Sequence, residues 1–453
     1  MGVLAILTLL LAVRWHNPQP YSGDEPHYLL VTNSLFLDGD VDVKRDYLVG
    51  RYFGYYPFPI DPHVNSSIFT LASPHWYPSH GIGLPALLVP AVVAGDADGA
   101  TVAMAVIAVV VLLLAFLWAR RFTGEAWFAA VATGALGLSP FFLGLQGRIF
   151  PDLPTAALLL GCLLILELPK RRSRQLLLLG ALIGVAPWFH FKNGLAFGTV
   201  AAIAVVQVAR STNGARRVRE LLLLTLPALV SVVGYELAVR AWYGSWLPTR
   251  MYPPGPEAFA LSEPRGIAAV SFDAAEGLFT NNPALLLILA GLPVWMRLWR
   301  GPFLRLALVI GPTILVQATF NDWSGGYAPA GRYALQFAPA LVPAIALLLQ
   351  EAPGAIRALA GVLLGLQCAL AVAFVWLQPP WGFTGERSPF FAAVEERLGP
   401  ALDRGMPAFD AHGGLTRGGW QLAAWIVVAG VLVGYGAGLS RRAIGRRGPS
   451  QEP

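Results

Sequence analysis

Hydrophobic residues recur along this chain in runs long enough to cross a lipid bilayer. A helix needs about 20 apolar residues to span the hydrocarbon core, and runs near that length follow one another through most of the sequence. Because an unpaired backbone polar group is costly in lipid, the pattern predicts an all-α, polytopic transmembrane bundle of about twelve spans. The predicted spans cover residues 1–14, 99–119, 125–145, 151–168, 175–190, 194–209, 220–241, 283–299, 303–320, 332–350, 355–378 and 419–440.

Composition strengthens this prediction. The chain has 56% hydrophobic and only 13% charged residues, against about 25% charged residues in soluble domains. These values exclude a soluble domain carried by one anchor and favour a single membrane domain over 1–453. Cys162 and Cys368 fall inside apolar runs, where they act as small hydrophobes, so they indicate no disulfide framework.

Arginine and lysine separate the connections between spans into two classes. One class is short and basic, as at Arg120–Arg121, residues 170–174 and the tail 441–453, and the positive-inside rule assigns it to the cytoplasm. The other class is long, rich in Pro, Gly, aromatic and acidic residues, and predicted to lie outside. The sequence thus indicates a multi-pass protein of the plasma membrane with a cytoplasmic C-terminus. The long outer connections are 15–98, 242–282, 321–331 and 379–418.

This topology requires that segment 81–95 does not cross the membrane. Pro85 and Pro90 disfavour a straight span there. We therefore interpret the segment as a juxtamembrane helix or a re-entrant segment. The rival topology is a full crossing, which would place Arg120–Arg121 outside.

Two adjacent acids open the first long loop. Asp24 and Glu25 stand beside Pro26, which can begin a helix lying along the membrane. A carboxylate pair at the positive end of a helix can accept a proton from an attacking hydroxyl, or bind a divalent cation such as Mg²⁺ or Mn²⁺. Alternatively, Asp24 merely caps the helix. His27 and Tyr28 follow on the same predicted helix and are candidates to line a substrate cavity.

The same loop holds scattered histidines. His63, His75 and His80 lack the close spacing of zinc motifs, so ordinary interfacial polar roles are favoured for them. His80 is a further candidate to line the cavity.

Cations at two outer connections are candidates to bind a phosphate. Arg148 lies between two predicted spans, and Lys192 follows His190 in another connection where the charge rule predicts few cations. A cation at the outer mouth of a bundle is a natural partner for a phosphate, and His190 lies beside it. The alternative is that these side chains snorkel to the outer headgroups.

The segment that leads to Arg332 is the second strong signal. Its glycines allow close backbone approach to a ligand, Trp323 and Tyr327 offer stacking faces, and the Arg332 guanidinium can bind a phosphate through two hydrogen bonds. Alternatively, Arg332 pairs with Asp322. Asp273, just before a predicted span, is a candidate to line the same cavity.

Motifs for several other function classes do not occur. The sequence has no Gly-x-Ser-x-Gly elbow, Walker loop, dinucleotide fingerprint or His-Glu-x-x-His motif. Nucleotide-driven chemistry is therefore not indicated. The net charge of +6 reflects predicted cytoplasmic arginines and does not point to nucleic acid.

In their order along the chain, these motifs resemble the type C glycosyltransferases, integral membrane enzymes similar to the protein mannosyltransferase and aminoarabinose transferase group. The resemblance implies the GT-C fold, a polyprenyl-phosphate-linked sugar as donor, and a glycan, lipid or protein as acceptor. It also implies that Asp24 is the base or the organiser of the acceptor. The chain departs from the family in lacking a large outer C-terminal domain and the Lys-Pro-Pro signature of the first loop. The resemblance is carried by residues 24–26, 80–85, 187–192, 273–283 and 323–332.

On this interpretation the sequence predicts displacement at the anomeric carbon of the donor, with Asp24 as general base and Glu25 orienting it or helping to hold a metal. Lys192, Arg332 and either Arg148 or His190 would stabilise the leaving phosphate, and this cationic cluster can replace a metal. Two alternatives stay open. One is a non-enzymatic flippase or transporter of lipid-linked sugars, and the other is an enzyme of the O-antigen ligase or polymerase type.

Overall fold

Helices dominate the computed structural model, which describes residues 21–64, 70–251, 266–319, 323–326, 328–379, 387–410 and 414–446, with side chains to 442. A short antiparallel pair, β1 (Ala408–Phe409) and β2 (Leu415–Arg417), is the sheet of these ranges. The α-helices are α1 (Glu25–Leu37), α2 (Lys44–Leu48), α3 (Gly83–Thr123), α4 (Ala126–Gly137), α5 (Pro140–Leu145), α6 (Asp152–Leu166), α7 (Ser173–Phe189), α8 (Asn193–Ser211), α9 (Gly214–Tyr243), α10 (Gly266–Phe272), α11 (Leu278–Asn281), α12 (Leu287–Leu298), α13 (Arg300–Ala318), α14 (Arg332–Leu335), α15 (Ala338–Glu351), α16 (Gly354–Leu377), α17 (Pro389–Leu398) and α18 (Gly419–Arg446). Single 3₁₀ turns cover Arg51–Gly54, Pro248–Met251, Pro283–Leu286 and Leu402–Gly405.

The predicted all-α, polytopic bundle is confirmed. Within the described ranges, six helices are long and apolar enough to cross a membrane, namely α3, α8, α9, α13, α16 and α18, and shorter apolar helices lie between them. Each predicted span from 99–119 onward coincides with one or more helices, whereas the predicted span 1–14 lies outside the described residues. The number of crossings, about twelve, stays a prediction.

The interior of the bundle is packed with apolar side chains from many helices. Trp118 of α3 and Trp295 of α12 are fully buried, with ring centroids 6.3 Å apart in an edge-to-face arrangement. The indole of Trp118 donates to the carbonyl of Ala340 at 3.0 Å, so its one polar group is satisfied in the core. By contrast, Leu222 and Val230 of α9 are exposed. Exposed apolar side chains on a long apolar helix are what a lipid-facing surface requires.

Segment 81–95 forms the first part of α3, and the chain doubles back after it. Gly95 and Asp96 have non-helical backbone angles inside the helix. A Cβ at Gly99 would lie 2.0 Å from the carbonyl oxygen of Ala91, although eight residues of straight helix span about 12 Å. Two helical arms therefore pack against each other across a tight bend. This geometry favours the interpretation as a juxtamembrane or re-entrant segment, which stays a prediction.

The first arm of α3 supports the helix predicted at Pro26. Tyr28 and Leu29 of α1 pack in one cluster with Leu84 and Leu88 of that arm. Tyr28 and both leucines of α3 are almost fully buried. This packing fixes α1 on the bundle, and with it the direction of the acids at its N-terminus.

Candidate active site

Asp24 precedes α1 but does not cap it. Its side chain makes no capping hydrogen bond, and the helix begins at Glu25 with Pro26 in its first turn. The carboxylate instead points to side chains from three other parts of the chain. Oδ1 lies 3.3 Å from Nε2 of His80 and 3.6 Å from Nδ1 of His63, while Oδ2 lies 3.4 Å from Nη1 of Arg332. The capping alternative therefore does not describe what this side chain does.

The charge state of Asp24 follows from these neighbours. Burial alone would raise its pKa, but His80, Arg332 and His63 together hold the pKa of Asp24 well below its usual range. Burial and His80 also lower the pKa of His63 to about 4. At neutral pH the site thus presents an ionised carboxylate between a guanidinium and a neutral imidazole.

Glu25 turns away from this cluster and is fully buried. Its carboxylate accepts from Nη1 of Arg148 at 3.1 Å, from the amide of Ile149 at 2.9 Å and from the amide of Ser22 at 2.9 Å. These contacts tie the start of α1 to the connection before α6. The expectation that Glu25 orients Asp24 or shares a metal with it finds no contact of that kind among the described residues. Arg148, a candidate phosphate ligand, is paired with Glu25.

Arg332 is held by its own loop and by two aromatic rings. Its Nη2 donates to the carbonyl of Gly325 at 2.7 Å, and its guanidinium carbon lies 4.8 Å and 4.9 Å from the ring centroids of Phe150 and Tyr333. Gly325 has a φ of +92°, and a Cβ there would lie 2.6 Å from Nε of Arg332. Only glycine leaves room for this approach.

Lys192 lies against Tyr333, the same ring that Arg332 contacts. Its ammonium nitrogen lies 3.8 Å from the ring centroid of Tyr333 and 3.7 Å from Oδ1 of Asp152. Burial, reinforced by Arg332 and opposed by Asp152, lowers the pKa of Lys192 to about 8. Lys192 and Arg332 therefore both contact Tyr333, so two cations lie in one partly desolvated space.

Close backbone packing brings His80 and His190 toward this space. A Cβ at Gly81 would lie 2.3 Å from the carbonyl oxygen of Trp188, so the residue after His80 lies directly on the end of α7. His190 follows that helix, and its Nδ1 accepts from the amide of Lys192 at 3.2 Å. Burial, followed by Lys192 and His80, holds the pKa of His190 well below its usual range.

Of the five remaining candidates, His27 and Tyr28 lie beside the cluster, whereas Trp323 and Asp273 contact other parts of the chain. The ring of Tyr28 lies 5.3 Å from that of His80, and the ring of His27 lies 4.7 Å from that of His63. Trp323 instead donates to the carbonyl of Asp410 at 2.8 Å, next to β1. Tyr327 lies outside the described residues.

Asp273 is likewise engaged by backbone. Its carboxylate accepts from the amides of Ala275 at 2.7 Å, Glu276 at 2.8 Å and Phe409 at 3.0 Å. These bonds tie the turn after α10 to β1. The contacts of Trp323 and Asp273 favour structural roles over the cavity-lining roles expected from the sequence.

Two residues of the site were not anticipated from the sequence. The sequence favoured an ordinary interfacial role for His63, whereas in the structure its ring lies against both Asp24 and His80. Asp152, at the start of α6, is almost fully buried, and neither of its carboxylate oxygens has a hydrogen-bond donor among the described residues. Its position next to Lys192 depends on tertiary packing. The only sequence signal was an acid directly after Pro151 at the start of a span.

The cluster of Asp24, His63, His80, Lys192 and Arg332, hereafter the rim cluster, can do two kinds of chemistry. The carboxylate can accept a proton, and the two cations can bind or stabilise an anion. Asp24, His63 and His80 also form a group of potential metal ligands within the described residues, whose ligand atoms all lie within 4.8 Å of one another.

Comparison with solved structures finds matches that cover most of this chain. ArnT from Cupriavidus metallidurans, solved with undecaprenyl phosphate, is 14% identical over 98% of this chain and 77% of its own, with a TM-score of 0.48. The oligosaccharyltransferase of Archaeoglobus fulgidus, solved with Zn and sulfate, is 14% identical over 88% of this chain and 56% of its own, with a TM-score of 0.47. No protein-family model and no curated protein sequence matches the chain.

Proposed function

We propose that this protein is a membrane glycosyltransferase that moves a sugar from a polyprenyl-phosphate donor to an acceptor hydroxyl at the extracytoplasmic face. One observation carries the proposal. Asp24 lies 3.4 Å from Arg332, and Lys192 and Arg332 both lie over the ring of Tyr333, although Asp24, Lys192 and Arg332 come from distant parts of the chain. Such convergence suits a reaction that needs a base beside an anion-binding site.

The two cations support a donor that carries a phosphate. Both are largely withdrawn from water, with side-chain exposures of 18% for Lys192 and 9% for Arg332. Electrostatic attraction is stronger in such a setting than in bulk water. Nε of Arg332 is buried and has no hydrogen-bond acceptor among the described residues. A phosphate oxygen would supply that acceptor.

In the proposed reaction, the acceptor hydroxyl oxygen attacks the anomeric carbon of the donor sugar. The new carbon–oxygen bond forms as the bond from the anomeric carbon to the phosphate oxygen breaks. Asp24 takes the hydroxyl proton, and the bonding pair leaves with the polyprenyl phosphate. Lys192 and Arg332 stabilise the charge that develops on that phosphate.

The contact between Asp24 and Arg332 also explains how a carboxylate with a lowered pKa can act as the general base. The low pKa of Asp24 makes it a poor base while His80 and Arg332 face it. At 3.4 Å the Arg332 contact is longer than a strong charged hydrogen bond of about 2.8 Å. A phosphate arriving at Arg332 would compete for the guanidinium and raise the pKa of Asp24. Donor binding would thus prepare the base.

A transfer assay with matched variants tests the proposal. The purified full-length chain is incubated, in proteoliposomes that also contain membrane extract as a source of acceptors, with synthetic polyprenyl-phosphate pentoses and hexoses. Release of polyprenyl phosphate is measured for the wild type, Asp24→Asn and Asp61→Asn. Asp61 is an exposed acid of the same loop and serves as the control.

We expect release in the wild type and in Asp61→Asn, and its loss in Asp24→Asn. Full activity of Asp24→Asn would remove the aspartate from the reaction. A wild type that binds donors and moves them across the bilayer without releasing polyprenyl phosphate would favour the flippase alternative.

A further inference from the structure

Three potential ligand atoms of the rim cluster form a nearly equilateral triangle. Nε2 of His80 and Nδ1 of His63 are 3.1 Å apart, and Oδ1 of Asp24 lies 3.3 Å from the first and 3.6 Å from the second. A tetrahedral zinc ion has ligand bonds of about 2.0–2.1 Å, which place its ligand atoms roughly 3.3–3.4 Å apart. The triangle therefore has the dimensions of one face of a tetrahedral metal site.

We infer that Asp24, His63 and His80 bind a divalent cation of the Zn²⁺ class, with one coordination position left open. Two imidazoles and a carboxylate suit zinc or a similar transition metal. Mg²⁺ prefers six oxygen ligands. The donor set thus differs from the Mg²⁺ or Mn²⁺ site expected at Asp24 and Glu25, since Glu25 is committed elsewhere.

The backbone holds the two imidazoles side by side. The amide and the hydroxyl of Ser79 both donate to the carbonyl of His63, at 3.0 Å and 2.9 Å. An isolated β-bridge between Val64 and Pro78 continues this pairing. His63 and His80 are 17 residues apart in the sequence. The pairing between their two segments fixes a register that points both rings at one carboxylate.

A further layer of contacts fixes the ring of His63. The hydroxyl of Tyr47 accepts from the amide of His63 at 3.1 Å and lies 2.6 Å from Nδ1 of His27, whose ring packs against that of His63. Outer contacts of this kind orient metal ligands in proteins. On the other side, Arg332 faces the second oxygen of Asp24, so one carboxylate joins the cation site to the guanidinium.

Metal binding stands independently of the reaction, but its catalytic role rests on the proposed function. An oxygen ligand in the open position would lie beside Asp24, where the acceptor hydroxyl is proposed to react. A bound cation would make that hydroxyl more acidic, so a weak base would suffice.

Titration with Co²⁺ tests the site directly. The full-length chain is purified in detergent through a tag without histidines, stripped with a chelator and titrated with Co²⁺, whose visible absorption reports tetrahedral coordination. His63→Ala and His80→Ala are compared with His75→Ala. His75 lies in the same loop, is 58% exposed and pairs with Asp42, so it is the matched control.

We expect one Co²⁺ per chain in the wild type and in His75→Ala, and at least a tenfold weaker affinity in His63→Ala and His80→Ala. No stoichiometric Co²⁺ signal in the wild type, or equal loss in His75→Ala, would overturn the inference. If the two alanine variants fail to fold, the wild type decides alone. Zn²⁺ should then raise its melting temperature where equimolar Mg²⁺ does not, and equal effects of the two ions would refute the site.

The transfer assay separates this inference from the proposed function. Sugar transfer by a chain that binds no Co²⁺ would refute the metal site and leave the function standing. Stoichiometric Co²⁺ binding by a chain that transfers no sugar would support the site and refute the function.

Discussion

Acidic side chains make different contacts in two regions of the molecule, the rim cluster and the anchoring contacts around Glu25 and Asp273. Glu25 and Asp273 accept short hydrogen bonds from backbone amides, at 2.7 to 3.0 Å. Among the described residues, the contacts of the Asp24 carboxylate are with side chains at 3.3 to 3.6 Å that carry or can carry a positive charge. Fully satisfied acids fix segments of the fold. A loosely held acid keeps its partners available to exchange with a ligand.

The largest expected effect separates the two adjacent acids. Asp24→Asn should reduce transfer by about 10²- to 10⁴-fold, the contribution of a general base, with little change in melting temperature. Glu25→Gln should instead lower the free energy of unfolding by about 3–5 kcal/mol, since it leaves Arg148 buried without its anion. Activity per folded molecule tests the prediction for Asp24→Asn, and thermal unfolding tests the prediction for Glu25→Gln. Equal behaviour of the two variants would contradict the distinction.

Arg332→Lys should have the next largest effect. Lysine keeps the charge but cannot contact both Asp24 and the carbonyl of Gly325 as the guanidinium does. We expect the turnover rate to fall by about 10²-fold, at the lower limit for loss of one charge-stabilising donor. Arg387→Lys, on an exposed loop with acidic partners, is the control and should retain activity. Unchanged turnover in Arg332→Lys would remove Arg332 from the reaction.

The pH dependence of donor binding should report Lys192. Because the pKa of Lys192 is lowered to about 8, its charge is present below that pH and is lost as the pH rises through it. We expect KM for the donor to rise by up to about tenfold between pH 7 and pH 9. Lys192→Arg keeps its charge throughout this range and should remove the dependence. A rise that persists in Lys192→Arg would show that another group titrates.

The smallest expected effect on activity belongs to the anchoring contacts. Asp273→Asn replaces one accepting oxygen by a donor that faces backbone amides, so the free energy of unfolding should fall by about 1–3 kcal/mol. The turnover of the folded fraction should stay near that of the wild type. A large loss of turnover without loss of stability would place Asp273 in the cavity after all.

The difference between the two regions also shows what the sequence could predict. Hydrophobic runs predicted the long apolar helices, because length and composition are local properties, and Pro26 correctly marked the start of α1. Asp24 and Arg332 stood out as a proton acceptor and an anion ligand, and the structure places them in contact. Their chemical roles stay predictions.

Partner choice within the site could not be predicted. Glu25 and Asp24 have the same charge and adjacent positions, yet the start of α1 directs one toward Arg148 and the other toward His80. His63 and Asp152 join the site only through packing between segments distant in sequence. No local spacing encodes those contacts, so nothing in the sequence grouped His63 with His80.

A structure of the chain with bound polyprenyl phosphate would test the central claim most directly. The phosphate should lie within about 3 Å of Nζ of Lys192 and of the Arg332 guanidinium, the range of charged hydrogen bonds, with Asp24 released from Arg332. A phosphate bound instead at the basic connection around Arg120–Arg121, with Asp24 and Arg332 still in contact, would contradict it.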